Sequence, residues 1–316
     1  MNDLSLSNQS EFVSDCPGFL VERWPYGLHE RSMFIATSVL NIPFGLMAIA
    51  GNALILCAIF RNISLHQPSY MLLCSLVLSD FCVGFLVQPM YGLWKVFEIR
   101  RNFQVYCHLG TIFSALSIAL SGVSFLNILL VTLDRFLALF LHLRYNSMVT
   151  MHRTRLAIFV IWVVGATNSA IQFIDRKFYF MSSCAIIFLS IPITLVCYYQ
   201  IFRVIKRLKK QVSVAPQKNT MENNNNNSNN NNNTMAHYKK SVVSVFYIYG
   251  LFFLCYLPYT CTMVYMLVYT RGVRTDMTYH VSGTIVLLNS SLNPIIYCWK
   301  IRELRQAVKR IIPVFN

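Results

Sequence analysis

Charge is what this sequence has least of. Only 12% of its 316 residues are Asp, Glu, Lys or Arg, while 55% are apolar, a balance that soluble domains rarely show. The shortage is concentrated, because residues 156–174 and 178–202 contain no charge at all. Polar residues at helical period, which the outer faces of a soluble bundle require, are missing from these runs. A bilayer core takes roughly 20 apolar residues per helix. Seven segments are long enough, at about 34–60, 69–93, 108–133, 156–174, 178–202, 241–269 and 277–299. The expected fold is an all-α integral membrane protein, a seven-transmembrane helix bundle over residues 34–300.

Acids are scarcer than bases, twelve against 27, for a net charge of +15. Such an excess can mark nucleic-acid binding, but its distribution argues otherwise. With the N-terminus outside, the inner segments hold eighteen bases and three acids (Asp134, Glu222, Glu303), and the outer segments hold nine and eight. Bases gathered on one side set membrane orientation and meet anionic lipid. Membrane lipid is therefore an expected partner and nucleic acid is not. Residues 1–33 read as an extracellular tail without an apolar signal core, so the first span is expected to direct insertion. Asn8 opens a glycosylation sequon within that tail. The stretch at about 206–240 turns basic and then almost purely asparagine. It cannot bury apolar surface and is expected to be disordered. Residues 301–316 begin with basic and apolar residues alternating at helical spacing, the pattern of a short amphipathic eighth helix on the inner leaflet.

Absences inside the spans exclude most chemistry. No paired carboxylates or clustered His and Cys occur there, and all seven histidines fall at loops or span ends. An intramembrane enzyme is thereby disfavoured. No inverted pair of broken helices is visible, which weakens a transporter or channel. One acid, Asp80, lies at mid-membrane depth, where a carboxylate needs a cation, a hydrogen-bonding partner or a proton. Asn52, Ser124, Asn289 and Asn293 offer oxygens at similar depth. That set suits a sodium ion, or ordered waters around a protonated Asp80. Ser114, Ser117, Ser121 and Ser124 form a hydroxyl stripe on the third span, useful for close helix packing as well as for ligand contact. Prolines at 89, 192, 258 and 294 lie within spans, and each removes a backbone hydrogen bond and kinks its helix. Finally, Asp134 and Arg135 stand side by side at the inner end of the third span.

Taken in order, the motifs resemble the rhodopsin family (class A) of G-protein-coupled receptors across residues 34–312. They are Gly51-Asn52, Leu76 to Asp80, Asp134-Arg135-Phe136, Trp162, Cys255 to Pro258 and Asn293-Pro294-Ile295-Ile296-Tyr297. The segments after Phe136 and around Tyr297 are similar to adenosine and melanocortin receptors. This resemblance implies an extracellular ligand, a heterotrimeric G protein as partner, and no cofactor beyond an allosteric sodium ion. It implies that Arg135 pairs with Asp134 at rest, then turns toward Tyr198 and Tyr297 to meet the G protein, while Leu143 docks into that partner. Tyr256 stands two residues before Pro258 where the family carries a tryptophan switch. Tyr238 replaces the usual acidic partner of the arginine, which implies ligand-independent signalling.

The resemblance also implies an outer disulfide, most simply Cys107–Cys184, with Cys16 a competing partner for Cys107. Cys107 lies 28 residues before Arg135, three more than the family shows. By the same resemblance, Ser117 occupies the position of the amine receptors' acid, and Leu287 that of the opsin lysine. Met263 and Leu287 replace the adenosine-binding Asn and His, and Met90 and Gly110 the melanocortin-binding acids. Gln88, Tyr91, Ser117, Ser121, Tyr256, Tyr259, Met263 and His280 then line the expected pocket. Aromatic and neutral, it suits an uncharged or weakly polar small molecule, with a short peptide as the alternative.

Overall fold

The computed structural model describes residues 16–22, 24, 31–141, 144–214, 249–269 and 273–311. Seven helices are long and apolar enough to cross a membrane. They are α1 (Arg31–Arg61), α2 (Pro68–Ile99), α3 (Phe103–Leu141), α4 (Met151–Ile174), α5 (Arg176–Val214), α6 (Tyr249–Val268) and α7 (Val273–Lys300). An eighth, α8, covers Arg302–Ile311. Helices satisfy their own backbone groups, which hydrocarbon cannot do for them.

Burial is inverted relative to a soluble protein. Ile42, Phe60 and Phe159 are more than 60% exposed, whereas Asn52, Ser79, Asp80 and Asn293 are fully enclosed. Lipid solvates the outer aliphatic surface, and the polar groups must find each other within the bundle. The chain is thus a multi-pass membrane protein.

Local chemistry sets the turns. Pro68 opens α2 after an extended Gln67, a position where its missing N–H costs nothing. Thr150 Oγ1 accepts from Arg153 N at 3.4 Å to start α4. Arg101 has a positive φ of 55° between α2 and α3, and Asn102 Oδ1 accepts from Val105 N at 3.2 Å at the start of α3. Asp175 alone separates α4 from α5, its Oδ1 accepting from Lys177 N at 2.8 Å and Phe178 N at 3.1 Å. Within α2 a π turn at Val83–Val87 precedes Pro89, widening the helix where the ring would otherwise meet a carbonyl. Gly51 lets α1 approach α7, since a Cβ there would lie 2.8 Å from Pro294.

One expectation changes, and two details are added. Helix α5 continues to Val214, so residues 206–214 are helical, not disordered. The Lys, Arg, Leu and Gln of that stretch are good helix formers and extend a helix already nucleated in the membrane. Pro43 joins the intramembrane prolines, inside α1. Helix α8 has a definite seat, with Leu304, Ala307 and Val308 buried in a cluster with Ile55, Ala58, Ile59 and Tyr297. Asn8, His142, Leu143, Tyr238 and the asparagine tract lie outside the described residues.

Candidate functional site

Helices α2 to α7 line a cavity of about 120 Å³. Tyr91, Ser117, Ser121, Tyr256, Tyr259, Met263 and His280 all border it. Gln88, expected among them, does not. It is buried toward α1, where its Nε2 donates to Asn41 Oδ1 at 3.4 Å and its amide packs on Gly45. The π turn just before it shifts the helical register, so counting along an uninterrupted helix misplaces its side chain. Tyr179 and Tyr279 border the cavity too and were not expected. Tyr259 OH donates to Tyr279 OH at 3.4 Å, and Tyr179 packs beside both. Their signal in the sequence is three tyrosines near span ends, which only the junction at Asp175 brings together.

Above the cavity the cysteine pairing is corrected. Cys16 is bonded to Cys107, with Cα atoms 5.9 Å apart, and Cys184 is a free, buried thiol packed with Tyr179, Phe180 and Met263. The one-residue junction at Asp175 leaves no loop to carry a cysteine toward α3. Cys184 lies eight residues into α5, about 12 Å below its start at 1.5 Å per residue. The position three residues nearer Arg135 than Cys107 is Gly110. A Cβ there would lie 2.6 Å from Trp94 Nε1, and the Trp94 ring stacks between Tyr106 and Phe113 at 5.7 and 5.0 Å. Trp94 thus takes the space that a cysteine at 110 would need.

Beside Trp94 lies a buried charge cluster. Lys95 Nζ is 2.7 Å from Glu98 Oε2, each side chain 1% exposed. The ammonium sits over Phe34 at 3.9 Å and Trp94 at 4.1 Å. His280 Nε2 lies 3.4 Å from Lys95 Nζ and 3.6 Å from Asp276 Oδ2. Cation and carboxylate compensate each other's lost hydration, closing the outer ends of α2 and α7 with matched charge.

Below the cavity, Tyr256 OH donates to the Ser121 carbonyl at 2.8 Å, tying α6 to α3. Its ring stacks on Phe252 at 5.2 Å and leans on Phe125 at 5.4 Å. A tryptophan's indole N–H lies at a different reach, so this tether belongs to the tyrosine. Pro258 follows two residues on in the same helix. Deeper still, Asp80 accepts from Ser124 Oγ at 3.1 Å, Ser290 Oγ at 2.8 Å and Asn293 Nδ2 at 2.7 Å. Ser290 was not expected in this network. Asn52 reaches the Ser290 carbonyl at 3.1 Å and not Asp80 itself. The amide oxygens of Asn289 and Asn293 are buried without a hydrogen-bond donor among the described residues.

At the inner end, Arg135 donates to Asp134 Oδ2 through Nε at 3.0 Å and Nη2 at 2.7 Å. Two further donors, unanticipated, complete the carboxylate: Ser69 Oγ at 2.8 Å from α2, and Tyr145 OH at 2.6 Å from the helical turn Tyr145–Met148. Burial, reinforced by the bond to Asp134, pushes the Tyr145 hydroxyl up to about 12. It therefore stays a donor, and its contribution is whole below about pH 10 and lost as pH rises through 12. Tyr297 is fully buried beneath α8, and Tyr198 meets Tyr249 at 6.2 Å. Tyr70 OH donates to Glu303 Oε2 at 2.5 Å, fastening α2 to α8.

Comparison with known proteins places this architecture. A family model described as "7 transmembrane receptor (rhodopsin family)" matches residues 51–179 and 172–297. The histamine H2 receptor of Rattus norvegicus is 25% identical over 311 residues, covering 90% of this chain and 81% of the relative. Melanocortin receptor 3 of Mus musculus is 24% identical over 296 residues, covering 89% and 86%. The histamine H2 receptor of Homo sapiens is 25% identical over 295 residues, covering 84% and 76%.

Proposed function

This chain belongs to the rhodopsin family of seven-transmembrane receptors, a receptor class and not an enzyme class, and on that premise we propose how it signals. It sits in the plasma membrane with its N-terminus outside. A small molecule binds in the α2–α7 cavity, and binding promotes nucleotide exchange on a heterotrimeric G protein inside. The observation that carries this reading is a set of polar contacts that runs from the cavity into the middle of the bundle. Ser121 borders the cavity and holds Tyr256 of α6, Ser124 one turn deeper holds Asp80, and Asp80 holds Asn293 of α7. Asp134 and Arg135 end the same helix that carries both serines. A ligand that moves α6 against α3 breaks or strengthens the Tyr256 tether, so it favours one of two packings by its differential affinity.

Relatives named for histamine do not make a charged amine the ligand here. None of the residues bordering the cavity is Asp or Glu, so an ammonium would be desolvated without a partner. Filling the cavity tests the reading. An agonist identified with a promiscuous G-protein reporter should lose at least about tenfold in potency on Ser117→Trp, equivalent to ~1.4 kcal/mol, with surface expression retained. An unchanged potency would place the ligand elsewhere.

The oxygens around Asp80 fit a small hard cation, because two hydroxyls and two unengaged amide oxygens flank one carboxylate. We assign sodium to that site. Asp80→Asn should leave agonist affinity indifferent to sodium concentration. Wild-type affinity that already ignores sodium would remove the site.

A further inference from the structure

We infer that the ligand is a compact carboxylic acid whose carboxylate is held by Arg176, an inference that rests on the cavity reading above. Arg176 is the first residue of α5, next to the Asp175 junction. Its guanidinium lies over the rings of Phe19 at 4.8 Å and Phe180 at 5.1 Å. Nη1 is buried and has no acceptor among the described residues. A buried guanidinium N–H without an acceptor is costly, and aromatic faces attract the cation without accepting in-plane hydrogen bonds.

Tyr279, Tyr259, Tyr179 and, from the N-terminal segment, Glu22 interact electrostatically with Arg176. Glu22 is exposed and forms no ion pair with it among the described residues. Asp175 is occupied by the backbone N–H groups of Lys177 and Phe178. All three tyrosines border the cavity. Arg176 itself does not border the cavity, but Tyr179, one turn on in α5, does, and among the described residues no Asp or Glu lines it. Deeper walls are apolar, with Phe113, Ile118, Ile187, Val286 and Leu287. The complementary molecule is amphiphilic, with its anion outward and an apolar body inward.

Size and charge narrow the class. A volume of about 120 Å³ is slightly below the ~150 Å³ cavity known to admit benzene, so the body is one ring or a short branched chain. One guanidinium matches one planar carboxylate through parallel N–H bonds. A phosphate dianion would call for a second free cation. Lys95, a buried cation of α2, is already closed by Glu98.

Phenylacetate and hexanoate, each beside its primary amide, test the inference. They are measured by thermal melting of the purified receptor and by G-protein activation in cells. On wild type the acids should act at least about tenfold more potently than the amides, a difference of ~1.4 kcal/mol. Arg176→Gln should bring the acids down to the level of the amides and leave the amides unchanged. Arg176→Lys, which keeps the charge but not the fork, should retain part of the difference and serves as the folded control, with surface expression measured for each variant. Equal potency of acid and amide on wild type, an acid response untouched by Arg176→Gln, or no effect of either acid at millimolar concentration overturns the inference. Acid binding that survives Ser117→Trp but falls with Arg176→Gln would instead overturn the cavity reading, leaving Arg176 as an anion site outside it.

Discussion

Arg135→Ala is expected to abolish G-protein activation, both basal and agonist-driven, while surface expression and ligand affinity stay near wild type. Removing one partner of a buried ion pair commonly costs about 3–5 kcal/mol. Here the cost is smaller, for two reasons visible in the geometry. The Arg135 side chain is 25% exposed, so part of the pair is already hydrated. Asp134 also keeps two neutral donors, Ser69 and Tyr145, after the arginine is gone. The remaining penalty is on the order of 1–2 kcal/mol, that of one charged hydrogen-bonding group, which a bundle of this size tolerates. Signalling has no such reserve. Coupling between ligand and partner sites is typically worth 1–3 kcal/mol, about 5- to 150-fold, and on the proposed reading the contact at Arg135 delivers it. Nucleotide exchange in membranes, measured beside radioligand-independent surface labelling, separates the two effects. Wild-type exchange by the alanine variant would show that the latch is not part of the coupling. Basal exchange in wild type no higher than in this variant would remove the expectation of ligand-independent signalling drawn from Tyr238.

Cys16→Ser and Cys107→Ser should each destabilise the receptor by about 2–5 kcal/mol, whereas Cys184→Ser should shift it by less than ~1 kcal/mol. The bridge spans 91 residues of chain, and loop closure of that length alone is worth roughly 4–5 kcal/mol in the chain-entropy description. Helices that persist in lipid after unfolding already restrict the chain, which moves the expected value toward the lower end. The bridge also pins the single helical turn Gly18–Val21, whose Leu20 is 1% exposed beneath Tyr91, Trp94 and Tyr106. Losing it uncovers the roof of the cavity, so ligand affinity should fall along with melting temperature. The double variant should be no worse than either single one, because both remove the same bond. A melting-temperature loss shared by Cys107→Ser and Cys184→Ser and absent from Cys16→Ser would reverse the assignment.

Helix number and the pairing of Asp134 with Arg135 were legible in the residues because each follows from local composition. Twenty apolar residues must cross a bilayer wherever they occur. A buried Asp beside an Arg needs no distant partner to be noticed. The four serines of α3 and the asparagines of α7 could be read as an interior stripe for the same reason, since helical periodicity alone places them on one face.

What the linear order concealed depended on junctions and register. One residue, Asp175, decides whether an outer loop exists. That choice sends the disulfide to Cys16, buries Cys184 and sets Arg176 one helical turn before Tyr179 of the cavity wall. The π turn at Val83–Val87 decides that Gln88 faces α1 while Tyr91 faces the cavity. Ser69, Tyr145 and Ser290 join carboxylates far away in the chain, over separations of 65, 11 and 210 residues, which no periodicity within one helix can reveal. Composition determines what the membrane will accept. Only the packed bundle determines which side chains meet, because those meetings are set by helix rotation and end points that a shift of one residue changes.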